Sequence, residues 1–406
     1  MSDGVLALDG GTPVRSTPLP PWPYFAPDEV AAVVEVLHSG RVNYWTGDAG
    51  RRFETAFAEY LGAPYAIALA NGTVALEAAL LALNLRPGDE VIVPSRTFVA
   101  TANAVALHGG RPVFADVDRD SQNVTPATIS AALSPRTKGV IVVHLGGWPC
   151  EMDPIMTLAR ENDLFVIEDC AQALGAKYKH RPVGTIGDIG TFSFCQDKIM
   201  TTGGEGGMLV TSSEALRDRA WAMRDHGKSF AKVHNATPHD GTSFRWLHDT
   251  IGSNWRMTEM QAAIGLTALP KVHGWISRRS ENARMLTACL SAFTSIRVPV
   301  SPAHVQHAHY RQYGFVAQQG LSNGWDRDRI ARAIVAEGIP CGVGSCSEIY
   351  LEESFKSEGL RPATRASVAR DLGDTSLAWL VHPTLEENDM RDVCEAITRV
   401  LTEATL

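Results

Sequence analysis

Lys198 lies in the segment TFSFCQDKIMTTGGEGGM, where a predicted strand over residues 191–194 runs into a short loop that leaves through Gly203, Gly204, Gly206 and Gly207. A lysine amine can form a Schiff base, and burial with nearby positive charge lowers its pKa toward the reactive neutral form. A lone loop lysine is otherwise a solvated surface group; the flanking SF and TTGGEGG favour the chemical reading. Asp169 ends the apolar run LFVIED. The carboxyl ends of strands in an α/β sheet face the crevice where ligands bind, so Asp169 could hold a proton on a ligand nitrogen. It could equally be the N-cap of a helix starting at CAQALGA. Glu168 alternates to the other face and is the weaker candidate.

Asn71, Gly72 and Thr73 separate a predicted strand from a predicted helix, so the free N–H groups of the first turn are aimed at an anion. Gly72 permits close backbone approach and Thr73 adds a hydroxyl; Ser193 offers a second hydroxyl near Lys198. Phe98, after the strand EVIVP, could stack on a flat ring or be a core aromatic. Gln172, three residues past Asp169, could reach a ring hydroxyl or be a solvated helix residue. Lysine, carboxylate, anion cradle and aromatic face are the four demands of pyridoxal 5′-phosphate (PLP) chemistry: attachment, a protonated pyridine nitrogen that makes the ring an electron sink, a phosphate anchor, and a surface that holds the ring flat.

The elements that must position these groups follow from periodicity. YAIAL (residues 65–69) reads as a buried strand and residues 73–83 as a helix with apolar residues recurring at three and four. EVIVP, RPVFADV, GVIVVH and LFVIED follow as short strands, the first three each followed by a plausible helix. Such alternation predicts an α/β fold, a mostly parallel central sheet covered by helices. TFSF and GMLVT have only a loop between them. TEMQAAIGLTAL and RRSENARMLTACLSAF read as long helices, and YGFVA and DRDRIARAIVAEG as parts of a smaller α+β domain. The expected organisation is an irregular Gly/Pro-rich arm (1–25), a large PLP-binding domain (26–265) and a small C-terminal domain (266–406).

With 37 basic and 45 acidic residues the net charge is −8, which argues against a nucleic-acid partner but not against an anionic small substrate. No stretch approaches the roughly 18 apolar residues that span a bilayer, and no secretory signal opens the chain, so a cytoplasmic protein with no membrane partner is expected. The seven cysteines form no Cys-x-x-Cys pair, which predicts neither a zinc site nor a disulfide framework.

The succession GTVALEAAL, PSRTFVATANAV, IEDCAQALGA, TFSFCQDKIMTTGGEGGMLVT and GSNWRMTEMQAAIG resembles the DegT/StrS family of PLP-dependent sugar and cyclitol aminotransferases, of the aspartate aminotransferase fold type I, over nearly the whole chain. The resemblance implies that Lys198 is the Schiff-base lysine, Asp169 the pyridinium partner, Gln172 a residue at the ring, Gly72, Thr73 and Ser193 phosphate-binding positions, and Phe98 the stacking aromatic. It implies that Asn254 reaches the phosphate in a neighbouring subunit, which requires a homodimer. Trp255 stands where the family often has Tyr, and CQDK replaces the frequent H-x-x-K or G-N-K. The long segment SFAKVHNATPHDGTSFRWLHD, with three histidines, is expected near the substrate.

The implied reaction is transfer of an amino group from glutamate or glutamine to a ketone of a nucleotide-linked keto-sugar. A keto-cyclitol acceptor is the alternative; a PLP-dependent sugar dehydratase and a non-catalytic regulatory relative are the others, disfavoured because Lys198 and Asp169 are both present. A diphosphate on the acceptor would call for cations, with Arg256 and Lys228 as candidates; Arg256 could instead pair with Glu259, three residues on.

Overall fold

A computed structural model describes residues 5–234 and 244–406. Among them, the chain builds seven strands into one sheet: β1 (Tyr65–Leu69), β2 (Glu90–Pro94), β3 (Arg111–Ala115), β4 (Thr137–Val143), β5 (Phe165–Asp169), β6 (Ile189–Ser193) and β7 (Gly207–Thr211). Their order is β1-β7-β6-β5-β4-β2-β3. Runs such as EVIVP are buried from end to end, as a sheet covered on both faces requires. The expected parallel pairing holds for every pair except those of β7, which is antiparallel to β1 and β6. No helix intervenes between β6 and β7, and without a crossover the chain can only turn back. The turn it makes carries Lys198.

Helices α1 (Pro27–Ser39), α2 (Ala49–Leu61), α3 (Gly72–Ala82), α4 (Ala100–Leu107), α5 (Met152–Glu161), α6 (Glu214–Arg224) and α7 (Glu259–Ala268) surround this sheet. The Asn71 side chain caps α3, its Oδ1 accepting from the Val74 amide at 3.0 Å. Helix α8 (Val272–Leu290) crosses two cores: Ile276 packs with Phe57, Phe192 and Phe194, whereas Ala283, Leu286 and Leu290 join a second cluster with Trp379 and Ile397. That second core fills the space between α8, α9 (Arg327–Ala336), α10 (Glu387–Ala404) and a four-stranded antiparallel sheet of β8 (Ile296–Arg297), β9 (Gln312–Val316), β10 (Cys341–Gly342) and β11 (Ser376–Trp379).

The Gly/Pro-rich beginning packs on this C-terminal part. Leu6 belongs to its core, Val14 and Leu19 pack against it, and the Glu337 carboxylate accepts from the amides of Ala7 and Val14 at 2.8 and 3.0 Å. No helix among the described residues is long and apolar enough to cross a membrane.

Candidate active site

The carboxyl ends of β5 and β6, the start of α3 and the β6–β7 turn open onto one cleft of about 1130 Å³, closed on its far side by residues around β10. Gly72, Thr73, Phe98, Asp169, Gln172, Ser193 and Lys198 all line it. Residues separated by up to 126 positions in the sequence therefore converge, because parallel strands deliver their carboxyl ends to the same edge.

Asp169 is 6% exposed. The helix-cap reading fails: residues 170–176 form turns rather than a helix. Instead Oδ1 accepts from the Ala171 amide at 3.1 Å and Oδ2 from the Thr101 hydroxyl at 3.0 Å. Burial pushes the Asp169 carboxyl above its ordinary range, against the pull of Ala171, Thr101 and the more distant Lys198. A buried carboxylate held only by neutral hydrogen bonds is stabilised by a cation brought into the cleft. Gln172 is likewise no solvated helix residue: it is buried, and its Oε1 accepts from the Gly146 amide at 2.7 Å. Phe98 is 65% exposed inside the cleft mouth, which excludes a core role.

The anion cradle is tight. A Cβ built on Gly72 would stand 2.7 Å from the Ser193 Cβ, so only glycine lets the first turn of α3 approach the end of β6. The amides of that turn and the Ser193 hydroxyl then face the same space.

Lys198 departs from expectation in one respect. Burial does lower its pKa, but Tyr310, Asp197, Cys195 and Asp169 outweigh burial, and the amine sits above its ordinary value. Tyr310, Asp197, Arg311 and Thr101 are the cleft residues that sequence reasoning missed. Asp197 had a signal, the unusual CQDK; Tyr310 and Arg311, from just before β9, had none.

Three predicted residues lie elsewhere. Asn254 is exposed, its backbone bridged to Asp225. Arg256 Nη1 and Lys228 Nζ both contact Asp225 Oδ1, at 2.8 and 3.0 Å. The alternative Arg256–Glu259 pair does not form; Glu259 accepts from the amides of Ala49 and Gly50 at 2.6 and 3.0 Å and caps α2. None of the three lines the cleft around Lys198. Of the SFAKVHNATPHDGTSFRWLHD segment (229–249), expected near the substrate, 235–243 with His239 lie outside the described residues, and none of the described remainder, His234 and His248 included, lines the cleft.

One buried cluster, His144, Glu168 and Cys170, has metal-ligand chemistry. Its donors are already committed. Glu168 accepts from the amides of Gly184, Ile186 and Gly187 and pairs with His144 Nε2 at 3.0 Å. His144 Nδ1 accepts from the Cys150 amide, so the ring proton sits on Nε2, facing Glu168. Burial pushes the Glu168 carboxyl up, but His144 and the amides prevail and hold it below the ordinary carboxylate range.

The sequence profile of the DegT/DnrJ/EryC1/StrS aminotransferase family matches residues 23–398. The chain belongs to this family. It is an aminotransferase, and its cofactor is PLP. Its structure is similar to that of an aminotransferase from Psychrobacter cryohalolentis, with 50% identity and a TM-score of 0.91 over 94% of this chain and 98% of that one. In sequence it is 35% identical to the UDP-N-acetyl-3-dehydro-α-D-glucosamine 3-aminotransferase of Acidithiobacillus ferrooxidans, over 93% of this chain and 96% of its relative. It is 34% identical to the L-glutamine:2-deoxy-scyllo-inosose aminotransferase of Micromonospora echinospora, over 98% and 97% of the two chains.

Proposed function

We propose that this aminotransferase moves an amino group from glutamate or glutamine to a ketone of a nucleotide-linked keto-sugar, at the cleft around Lys198. The observation that carries the chemistry is the meeting, in one cleft, of a partly buried lysine with a buried carboxylate that has no cation in direct contact. PLP, when bound, supplies an aldehyde that takes up an amino group and a ring that draws electrons from the adjoining carbon. Lys198 would hold it covalently, and its freed amine would move the proton to and from the reacting carbon. Asp169 would keep a proton on the ring nitrogen. The amides at Gly72 and Thr73, with the Ser193 hydroxyl, would hold the phosphate, and Phe98 would face the ring.

The sugar acceptor is favoured by the likeness to the UDP-sugar aminotransferase. The comparable likeness to the scyllo-inosose enzyme supports a keto-cyclitol as the second reading. Because Asn254, Arg256 and Lys228 stand away from their own cleft, they are assigned to the site of a second copy in a homodimer. The apolar stripe of Val30, Val34 and Leu37 on α1, each 43–55% exposed, is a surface such association would cover.

The test separates the half-reactions. Borohydride reduction of the yellow holoenzyme should place the adduct on Lys198 by peptide mapping. Arg256→Ala and Lys228→Ala should weaken the acceptor half-reaction by about tenfold while sparing that with the donor. If neither variant changes the acceptor half-reaction, the diphosphate reading falls and the cyclitol moves ahead. Mixing Lys198→Ala with an impaired Asn254→Ala should restore part of the activity through hybrid dimers; exchange without recovery excludes a shared site.

A further inference from the structure

Lys198 is surrounded by charge that mere attachment of the cofactor does not require. Asp197 places Oδ1 3.6 Å from Lys198 Nζ. Its other oxygen accepts from the Tyr310 hydroxyl and lies 3.9 Å from Arg311 Nη2. The Tyr310 ring centroid is 5.1 Å from Nζ, so the same tyrosine fixes the carboxylate and faces the ammonium with its π cloud. Tyr310 reaches Asp197 across 113 residues of sequence, so the fold, not chain adjacency, holds the carboxylate in place. The other groups facing Nζ are Asp169, across the cleft, and Cys195, in the same turn. The arm secures the turn from behind: Trp22 Nε1 donates to the Lys198 carbonyl at 2.8 Å. Arg279, buried behind Tyr310, adds positive charge but no anion.

We propose that Asp197, fixed by Tyr310, is a positioning residue that serves as the counter-charge of Lys198, holding a proton on Nζ and setting the pH at which the lysine–cofactor linkage loses it. The inference rests on Lys198 being the point of attachment. A protonated linkage nitrogen makes the adjoining carbon electrophilic toward a donor amine, so Asp197 widens the pH range over which the resting enzyme is ready to react. Arg311 opposes this effect from the far side of the carboxylate and limits its size. So does solvent, because the Asp197 side chain is 44% exposed. The direction agrees with the raised pKa of Lys198, in which burial is overcome by Tyr310 and Asp197 foremost.

The experiment is a pH titration of the visible absorbance of the holoenzyme. Asp197→Asn should lower the midpoint by about one unit, the small end of what a close opposite charge produces. Tyr310→Phe, which frees the carboxylate, should lower it by less, and Asp197→Glu, which keeps the charge, should return it toward wild type. An unchanged midpoint in Asp197→Asn, with the borohydride adduct still on Lys198, overturns the counter-charge and leaves the attachment assignment standing. An adduct on a different lysine in the wild type overturns both. Should Asp197→Asn take up no cofactor, competitive acetylation of the cofactor-free proteins, read at the Lys198 peptide by mass spectrometry, gives the amine pKa directly. It should fall in the variant, and an unchanged value overturns the proposal.

Discussion

Two buried aspartates, Asp169 and Asp225, show how differently one chain treats the same side chain. Asp169 is 6% exposed and Asp225 wholly buried, and both lie beside residues that sequence reasoning chose for a site. Around Asp169 the fold supplies only neutral donors, Thr101 and the Ala171 amide, and the carboxyl is pushed up by burial. Around Asp225 it supplies two cations, Arg256 and Lys228, on a single oxygen. The first arrangement has no cation in contact, only Lys198 across the cleft, and is open to a ligand that brings one. The second carries a surplus of positive charge on Oδ1, although its Oδ2 is buried without a hydrogen-bond partner. Burial alone therefore does not mark a site, and neither does a missing hydrogen bond; the balance of charge around the buried carboxylate separates the two.

The largest effect should come from removing the Asp169 charge in the holoenzyme. Asp169→Asn should lower turnover on the order of 10²-fold or more, because an amide holds no proton on the ring nitrogen. Near-normal turnover would reduce Asp169 to a structural residue and erase the contrast. Asp225→Asn tests the other half. It leaves two cations facing an amide and should cost about 2–3 kcal/mol of folding stability, less than breaking a fully buried pair because both cations keep some solvent. Chemical denaturation measures it, and a loss no larger than that of an exposed pair would show that the clamp reading is mistaken.

Thr101→Val sharpens the comparison, since it removes one of the two neutral donors to Asp169. Cofactor affinity should fall about tenfold, the value of a hydrogen bond to a charged group, with little change in fold. An affinity equal to wild type would mean that Thr101 does not support the carboxylate. The smallest effect is in cofactor-free protein. The folded-state pKa of Asp169 is raised, so its protonated form favours the fold at low pH, and that contribution is lost as pH rises through the folded value. Asp169→Asn stays neutral throughout. Its melting temperature should exceed wild type at neutral and alkaline pH, with the gap closing in acid. A gap that does not depend on pH would contradict the burial argument.

Much of the lining of the cleft around Lys198 was legible in the sequence because its groups are local signals. Gly72 and Thr73 sit where a strand meets a helix, Lys198 sits in a glycine-flanked turn, and Asp169 ends an apolar run. Each is announced by neighbours within a few residues. The direction of β7 follows from its connection rather than from its own residues: the short loop after TFSF leaves no room for a crossover.

What the sequence determined, then, is the set of strand ends and turns, and through them the cofactor chemistry, since short-range propensity and periodicity fix those elements. Only the tertiary structure decided that Tyr310 and Arg311 stand over Asp197 and Lys198, and that Trp22 closes the turn from behind. It also decided that Arg256 pairs with Asp225 rather than Glu259, because Glu259 is drawn off to cap α2. These are choices among charged partners far apart in the chain. They are made by which surfaces pack together, and no local pattern of residues records that.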